Sequence, residues 1–214
     1  MRRVLAAHRE FRLLWCSQAV SSLGDRMVLV DLPLYVNDVG SPTDVGVVLA
    51  AHSVPFVGLL LIGGVWADRL PRHLLMVSTD LARAGLHGLL AVLILTTGDV
   101  PIWAIAAIEA LFGAAEAFFR PAYTGLLPQT VPDDMLTRAQ AVTQLTANVT
   151  GFAGPALGSA IFLGFGAGIA FGFDAATFVV SALLLLRIRP RERGERPPRA
   201  PMWAELKGGL DWNW

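Results

Sequence analysis

Charged residues and cysteines are scarce in this sequence. Only 16% of its 214 residues are charged, whereas an average soluble domain has about 25%. The single cysteine, Cys16, excludes an internal disulfide and has no second thiol with which to bind a metal. The 17 basic and 17 acidic residues balance, so net charge gives no indication of a nucleic-acid partner and we expect none.

The sequence also lacks the motifs of several enzyme classes. It contains no Gly-x-Ser-x-Gly nucleophile motif, no two histidines placed on one helix face for a metal, and no glycine-rich phosphate-binding loop. We therefore expect a protein that is not an enzyme and that binds no cofactor.

The sequence is rich in long apolar segments. Apolar residues make up 54% of the chain, and a membrane span needs about 20 mostly apolar residues. Six segments meet this requirement: 13–36, 44–66, 74–96, 101–119, 140–163 and 168–187. The sequence therefore predicts an all-α, polytopic membrane bundle of six transmembrane helices.

Basic residues outside these segments fall on one side of the predicted membrane. They occur in both tails and in the second and fourth connections, while the other three connections contain none. Because basic residues in short loops stay in the cytoplasm, both termini are expected there. We divide the chain into a cytoplasmic tail (1–12), a transmembrane domain (13–187) and a cytoplasmic linker with an interfacial lead-in to a further span (188–214), all in the cell membrane.

A short charged hinge, residues 63–73, connects the second and third segments. It contains Gly64, Asp68, Arg69 and Arg72 in the pattern Gly-x-x-x-Asp-Arg-x-x-Arg. The residues alone indicate at least a positively charged cytoplasmic loop.

The fifth segment carries a second motif. Gly151, Gly154 and Gly158 lie on one helix face, and Pro155 follows the second glycine. With the hinge, this motif resembles the loop and antiporter signatures of the major facilitator superfamily of transporters, and the chain is most similar to the branch of bacterial drug, macrolide and siderophore exporters. Ser159 departs from the antiporter signature, which ends in Gly-Gly.

The resemblance implies twelve spans in two six-helix halves, each half made of two inverted three-helix repeats. This chain is similar to the N-terminal half. The implied activity is proton-coupled efflux of small amphiphilic compounds by alternating access, with the bilayer, the substrate and protons as partners. The hinge would then be a conformational latch against a second half or another copy of the chain. The alternative is a truncated or degenerate half-transporter that does not transport alone or works only as a homodimer.

Charges inside the predicted spans are candidates for proton or substrate binding because each is costly in a membrane. Asp25 and Arg26 lie near the middle of the first span, Arg83 lies in the third and Glu109 in the fourth. Glu109 has no partner on its own helix, and a buried unpaired carboxylate can titrate near neutral pH. Pairing of Asp25 or Glu109 with an arginine on a neighbouring helix is the alternative.

Other polar residues in the spans have local explanations. Asp80 and Arg83 are three residues apart and are expected to pair along one helix. His52 is alone in the second span and is expected to be a hydrogen-bonded packing residue. Asp174, near the start of the last span, is expected to cap a helix or contact a loop.

Overall fold

The computed structural model describes residues 8–190. In this range the chain forms six α-helices: α1 (Arg9–Val39), α2 (Pro42–Arg69), α3 (Arg72–Thr97), α4 (Ile102–Leu126), α5 (Leu136–Phe165) and α6 (Ala167–Leu185). Two short 3-10 helices, Leu127–Gln129 and Asp133–Met135, connect α4 to α5. The described range contains no β-strand. The interfacial lead-in predicted near the C-terminus lies outside the described residues.

Each helix coincides with one predicted span. Helices α2 to α6 are long and apolar enough to cross a membrane, whereas α1 has the length, at 31 residues, but is more polar. The predicted all-α membrane bundle is confirmed. The main difference is at α4, which continues beyond the predicted end at residue 119 to Leu126.

Local sequence fixes the ends of the helices. At the start of α2, Ser41 and Asp44 form a capping box, in which the Ser41 amide donates to the Asp44 carboxylate at 2.9 Å, and Pro42 occupies the first turn. Gly98 and Gly166, with φ of +80° and +84°, end α3 and α5 in a conformation that a side chain would strain. The connections between helices are therefore short, and consecutive helices run antiparallel.

The helices pack side by side in the order α2, α4, α3, α6, α1, α5. Helix α1 contacts α5 and α6, while α4 contacts α2 and α3. The set of helix contacts stays the same when α1 is exchanged with α4, α2 with α5 and α3 with α6. Because α1 and α4 run in opposite directions, the bundle consists of two inverted three-helix repeats. Helices α2 and α5, at the two ends of the row, are the least buried of the five apolar helices.

The two largest apolar clusters fill the two ends of the bundle, one towards each membrane face. The first includes Phe11, Met76 and Leu185, and the second includes Leu90 and Ile105. Along the chain, the buried ionisable residues of α3, α4 and α6 fall between the residues of the two clusters. The bundle therefore has a polar layer at mid-depth.

Candidate functional site

A cleft of about 640 Å³ opens among α1, α2, α4 and α5, with buried side chains of α3 at its base. Trp15, Tyr123, Thr143 and Thr146 contribute to its walls. The Trp15 indole N–H donates to Thr146 Oγ1 at 2.8 Å, which joins α1 to α5. The lining thus combines aromatic surface with hydroxyl groups, and ionisable side chains from four helices reach it.

Arg83 is a buried cation at the base of the cleft. Its guanidinium donates to Asp80, the residue three positions earlier on α3, so the pair predicted from the spacing is present. The second Asp80 oxygen accepts from the Ser181 hydroxyl of α6 at 2.6 Å. Asp25 of α1 lies 3.7 Å from Arg83 and lines the cleft. One cation thus joins two carboxylates from different helices.

Aromatic rings hold the Arg83 guanidinium from two sides. Its carbon lies 4.3 Å from the ring centroids of both Phe119 and Phe178. Cation–π contacts of this kind are favourable, and more so where water is excluded. The side chain is 1% exposed, so Arg83 is a fixed charge rather than a mobile one.

His87, one turn further along α3, lies between two acids. Its Nδ1 is 2.5 Å from Asp174 Oδ2 of α6 and its Nε2 is 3.2 Å from Glu109 Oε1 of α4. The ring stacks on Phe112 with centroids 4.0 Å apart. Because an imidazolium donates from both nitrogens, it can satisfy both carboxylates at once.

His52 of α2 extends these contacts towards the cleft. Its Nδ1 is 3.3 Å from Glu109 Oε2, and its Nε2 is 3.2 Å from Glu116 Oε2. Glu116 also accepts from Arg120 at 2.9 Å. These contacts form one continuous row of charged and ionisable side chains: Asp174, His87, Glu109, His52, Glu116 and Arg120.

Glycine allows α2 to come close enough for His52 to reach α4. A Cβ placed on Gly113 would lie 2.1 Å from the His52 carbonyl oxygen, and one on Gly63 would lie 2.3 Å from the Ala117 carbonyl oxygen. Small residues at such positions permit close helix contact in membranes. The row of charges therefore depends on two glycines of the α2–α4 interface.

One expectation about this region is wrong: Asp174 neither caps a helix nor meets a loop but is buried against His87. His52 is hydrogen-bonded as expected, and its partners are two carboxylates of α4. Glu109 has no partner on its own helix, and it pairs across helices with two histidines rather than with an arginine. A shared mid-span depth for these residues was the only signal in the sequence that they could meet.

Arg26 remains exposed and faces the cleft. It makes no ion pair within 4 Å among residues 8–190. It is thus the sequence-predicted candidate best placed to meet a bound molecule. Asp25, beside it in the sequence, is 35% exposed and shares the same wall.

The hinge is organised by Arg72. Its guanidinium donates to the Asp68 carboxylate at 2.7 Å, to the Gly125 carbonyl at the end of α4 at 2.7 Å, and to the Ala67 carbonyl at 3.2 Å. Arg69 is the last residue of α2. A Cβ on Gly64 would meet nothing within 4 Å, so this glycine points away from the described bundle.

The glycines of α5 divide into two kinds. A Cβ on Gly154 would lie 2.3 Å from Arg26 Cβ, and one on Gly158 would lie 2.9 Å from Met27 Cα, so both mark the contact with α1. A Cβ on Gly151 would meet nothing within 4 Å. Pro155 lies inside the same helix. Of the three glycines predicted to share a packing face, two form the α1 interface.

Comparison with known proteins places this bundle in a family. The family model described as Major Facilitator Superfamily matches residues 14–211. An uncharacterized MFS-type transporter, YfiS, of Bacillus subtilis (strain 168) is 27% identical over 181 residues, which are 84% of this chain and 42% of the relative. Macrolide efflux protein A of Streptococcus pyogenes is 21% identical over 188 residues, 87% of this chain and 46% of the relative. The chain spans less than half the length of these relatives. It belongs to the major facilitator superfamily.

Proposed function

We propose that this chain is part of a secondary active transporter of the cell membrane that exports small amphiphilic compounds in exchange for protons. Both termini would lie in the cytoplasm, as the distribution of basic residues indicates. Transport would proceed by alternating access, with substrate and proton competing for a site at mid-membrane. It is not an enzymatic reaction.

The observation that carries this proposal is the buried ionisable layer that opens into the cleft. Charged groups at membrane depth are costly and mark ion or substrate pathways. Asp25 and Glu109 line the cleft, and each lies within 4 Å of a basic side chain on another helix. Both carboxylates can therefore exchange a proton or a partner when a substrate enters.

The lining of the cleft supports an amphiphilic substrate. Most of the surface of its wall is apolar, and one relative is named for macrolide efflux. Arg26 offers a guanidinium without an ion pair among residues 8–190, and a guanidinium pairs with carboxylates and phosphates through two parallel hydrogen bonds. A compound with an apolar body and an acidic or hydrogen-bond-accepting group fits this surface.

A second six-helix unit is required to close the site. The cleft is open on the side where α2 and α5 lie, and these two helices are the most exposed. The second unit is either another half of a longer chain or another copy of this one. The hinge, with Gly64 pointing away from the bundle and Asp68 exposed at its end, would be the latch between the units.

The test is proton movement driven by substrate. Inverted membrane vesicles that contain the protein are loaded with acid, a macrolide is added, and proton outflow is followed with a pH-sensitive dye. We expect outflow with the natural sequence, and its loss in Asp25→Asn and Glu109→Gln. Asp99→Asn, in an exposed connection, is the matched control and should behave like the natural sequence.

Two results would contradict the proposal. Unchanged coupling in both carboxylate variants would exclude Asp25 and Glu109 as proton carriers. Absence of coupling in the natural sequence, both alone and co-expressed with the C-terminal six helices of a relative, would favour a half-transporter without activity.

A further inference from the structure

We propose that the exchanging proton is carried by a relay of four residues, Asp174, His87, Glu109 and His52, with the two histidines as the transfer groups. This inference deepens the proposed antiport and rests on it. It assigns a role to His52, His87 and Asp174, which are not among the carriers named above. The proton site is then shared among four helices rather than held by one carboxylate.

The contacts of the relay are continuous. His52 Nδ1 is 3.3 Å from Glu109, Glu109 is 3.2 Å from His87 Nε2, and His87 Nδ1 is 2.5 Å from Asp174. An imidazole ring can accept a proton at one nitrogen and release one from the other. Alternation of rings and carboxylates therefore gives a path on which each donor faces an acceptor.

Each transfer step balances without a further reactant. A proton that reaches His52 Nε2 forms an N–H bond there, and the Nδ1–H bond breaks as its proton passes to Glu109. The Glu109 O–H bond then breaks as His87 Nε2 is protonated, and His87 Nδ1 releases its proton to Asp174. One proton moves from the cleft to α6, and no electrons are exchanged.

Exposure falls along the path. The side chain of Arg120, at the mouth, is 64% exposed, that of His52 is 25% exposed, and those of His87 and Asp174 are 1% and 0% exposed. Glu116 bridges Arg120 and His52, so water in the cleft can reach the first ring. The relay thus has one end open to the cleft and one end closed inside the bundle.

Asp174 has a vacant acceptor at the closed end. Its Oδ1 is buried and has no hydrogen-bond partner among the described residues. A Cβ placed on Gly24 would lie 2.2 Å from this oxygen, so it faces the backbone of α1. A buried carboxylate oxygen without a partner is costly when charged. Protonation of Asp174 removes that cost and changes the contact between α1 and α6.

The relay therefore couples proton uptake to the packing of both three-helix repeats. His52 and Glu109 join α2 to α4, and His87 joins α3 to α4 and α6. Loss or gain of a proton at any step changes which of these ion pairs are charged. The charged groups that face the relay from the elements around it are Asp25 and Asp31 of α1, Asp80 and Arg83 of α3, and Glu116 and Arg120 of α4.

The first experiment measures the histidines directly. The chain has four histidines, so replacement of His8 and His73 by Gln leaves only the two of the relay. With ¹⁵N-labelled histidine in lipid bilayers, solid-state NMR follows the ring nitrogens from about pH 5, where an ordinary histidine is protonated, to alkaline pH, because carboxylates next to both rings favour the imidazolium. Assignment uses the single variants His52→Gln and His87→Gln.

The relay predicts that both rings change protonation in this range and that they do so together. Asp174→Asn, which within the relay contacts His87 alone, should also shift the transition of His52, two contacts away. Asp99→Asn should shift neither. Rings that keep one protonation state throughout, or a His52 transition that is indifferent to Asp174→Asn, would overturn the relay. Size-exclusion chromatography establishes that each variant is folded.

The second experiment separates the relay from the transport function. His52→Gln and His87→Gln should lower proton-driven efflux about a hundredfold or more, the loss that removal of a positioned proton-transfer group typically causes. Exchange of labelled for unlabelled substrate, which needs no net proton movement, should persist. Equal loss of both activities would mean that the histidines only support the structure. If the natural sequence shows no coupling between substrate and proton movement, the proposed function is overturned. The NMR titration tests the relay independently of that result.

Discussion

At the scale of the residue, Arg83 is the fixed centre of the polar layer. It is surrounded by two carboxylates and two aromatic rings and is almost completely buried. Removing one partner of a buried ion pair leaves the other charge uncompensated, which costs about 3–5 kcal/mol. Replacing both partners by groups of similar shape costs much less.

Arg83→Met should therefore lower the thermal unfolding midpoint strongly, because Asp80 keeps its charge and loses its cation. The double variant Arg83→Met/Asp80→Asn should recover part of the loss. Tryptophan fluorescence during heating in detergent measures both midpoints. Arg26→Met, at an exposed arginine without an ion pair among residues 8–190, is the control and should change the midpoint little. A double variant no more stable than Arg83→Met would contradict the assignment.

The sequence predicts only part of this site. The pairing of Asp80 with Arg83 follows from their separation on one helix, and the structure confirms it. The contacts of His52 and His87 with Glu109 join three different helices across separations of 57 and 22 residues. Their geometry depends on helix rotation and spacing, which hydrophobic periodicity does not determine. A polar residue that seems isolated on one helix is therefore not isolated in the bundle.

At the scale of the element, the α2–α4 interface brings the relay residues together. The two adjacent glycines of the hinge contribute differently to it. A Cβ on Gly63 would collide with the Ala117 backbone, whereas one on Gly64 would enter open space. This pair gives a matched test in which the same substitution is made one residue apart.

Gly63→Ala should destabilise the protein by about 1–3 kcal/mol, the usual cost of overpacking. Gly64→Ala should keep or raise stability, because alanine is the better helix former by about 1 kcal/mol. Unfolding midpoints in detergent measure both effects. If Gly64 contacts a second six-helix unit, Gly64→Ala should also reduce transport without loss of stability. Equal midpoints for the two variants would contradict the interface described.

Helix positions, unlike helix contacts, could be predicted well. The six apolar segments locate the six helices because the length of a span is set by the membrane. This criterion misses the polar ends of helices. In α4, for example, the residues after 119 remain helical although they are no longer purely apolar. The hydrogen bonds from Arg72 to the α4 end and to Asp68 organise this region, and neither contact follows from composition.

At the scale of the whole molecule, the two inverted repeats define two faces of the membrane. The connections after α2 and α4 lie on one face, and those after α1, α3 and α5 lie on the other. Basic residues flank only the connections of the first group, with Arg69 and Arg72 around one and Arg120 and Arg138 around the other. The proposed orientation rests on this charge distribution, because basic residues in short connections stay in the cytoplasm.

Labelling of single cysteines decides the orientation. Cys16 is the only cysteine, so Cys16→Ser gives a background to which Asp99→Cys, between α3 and α4, or Asp134→Cys, between α4 and α5, can be added. Both positions are exposed. A membrane-impermeant maleimide should label residue 99 in intact cells and residue 134 only in inverted vesicles, and detergent should make both reactive. Labelling of residue 134 from outside would reverse the orientation, and it would place the hinge with Asp68 and Arg72 on the outer face, where a cytoplasmic latch cannot operate.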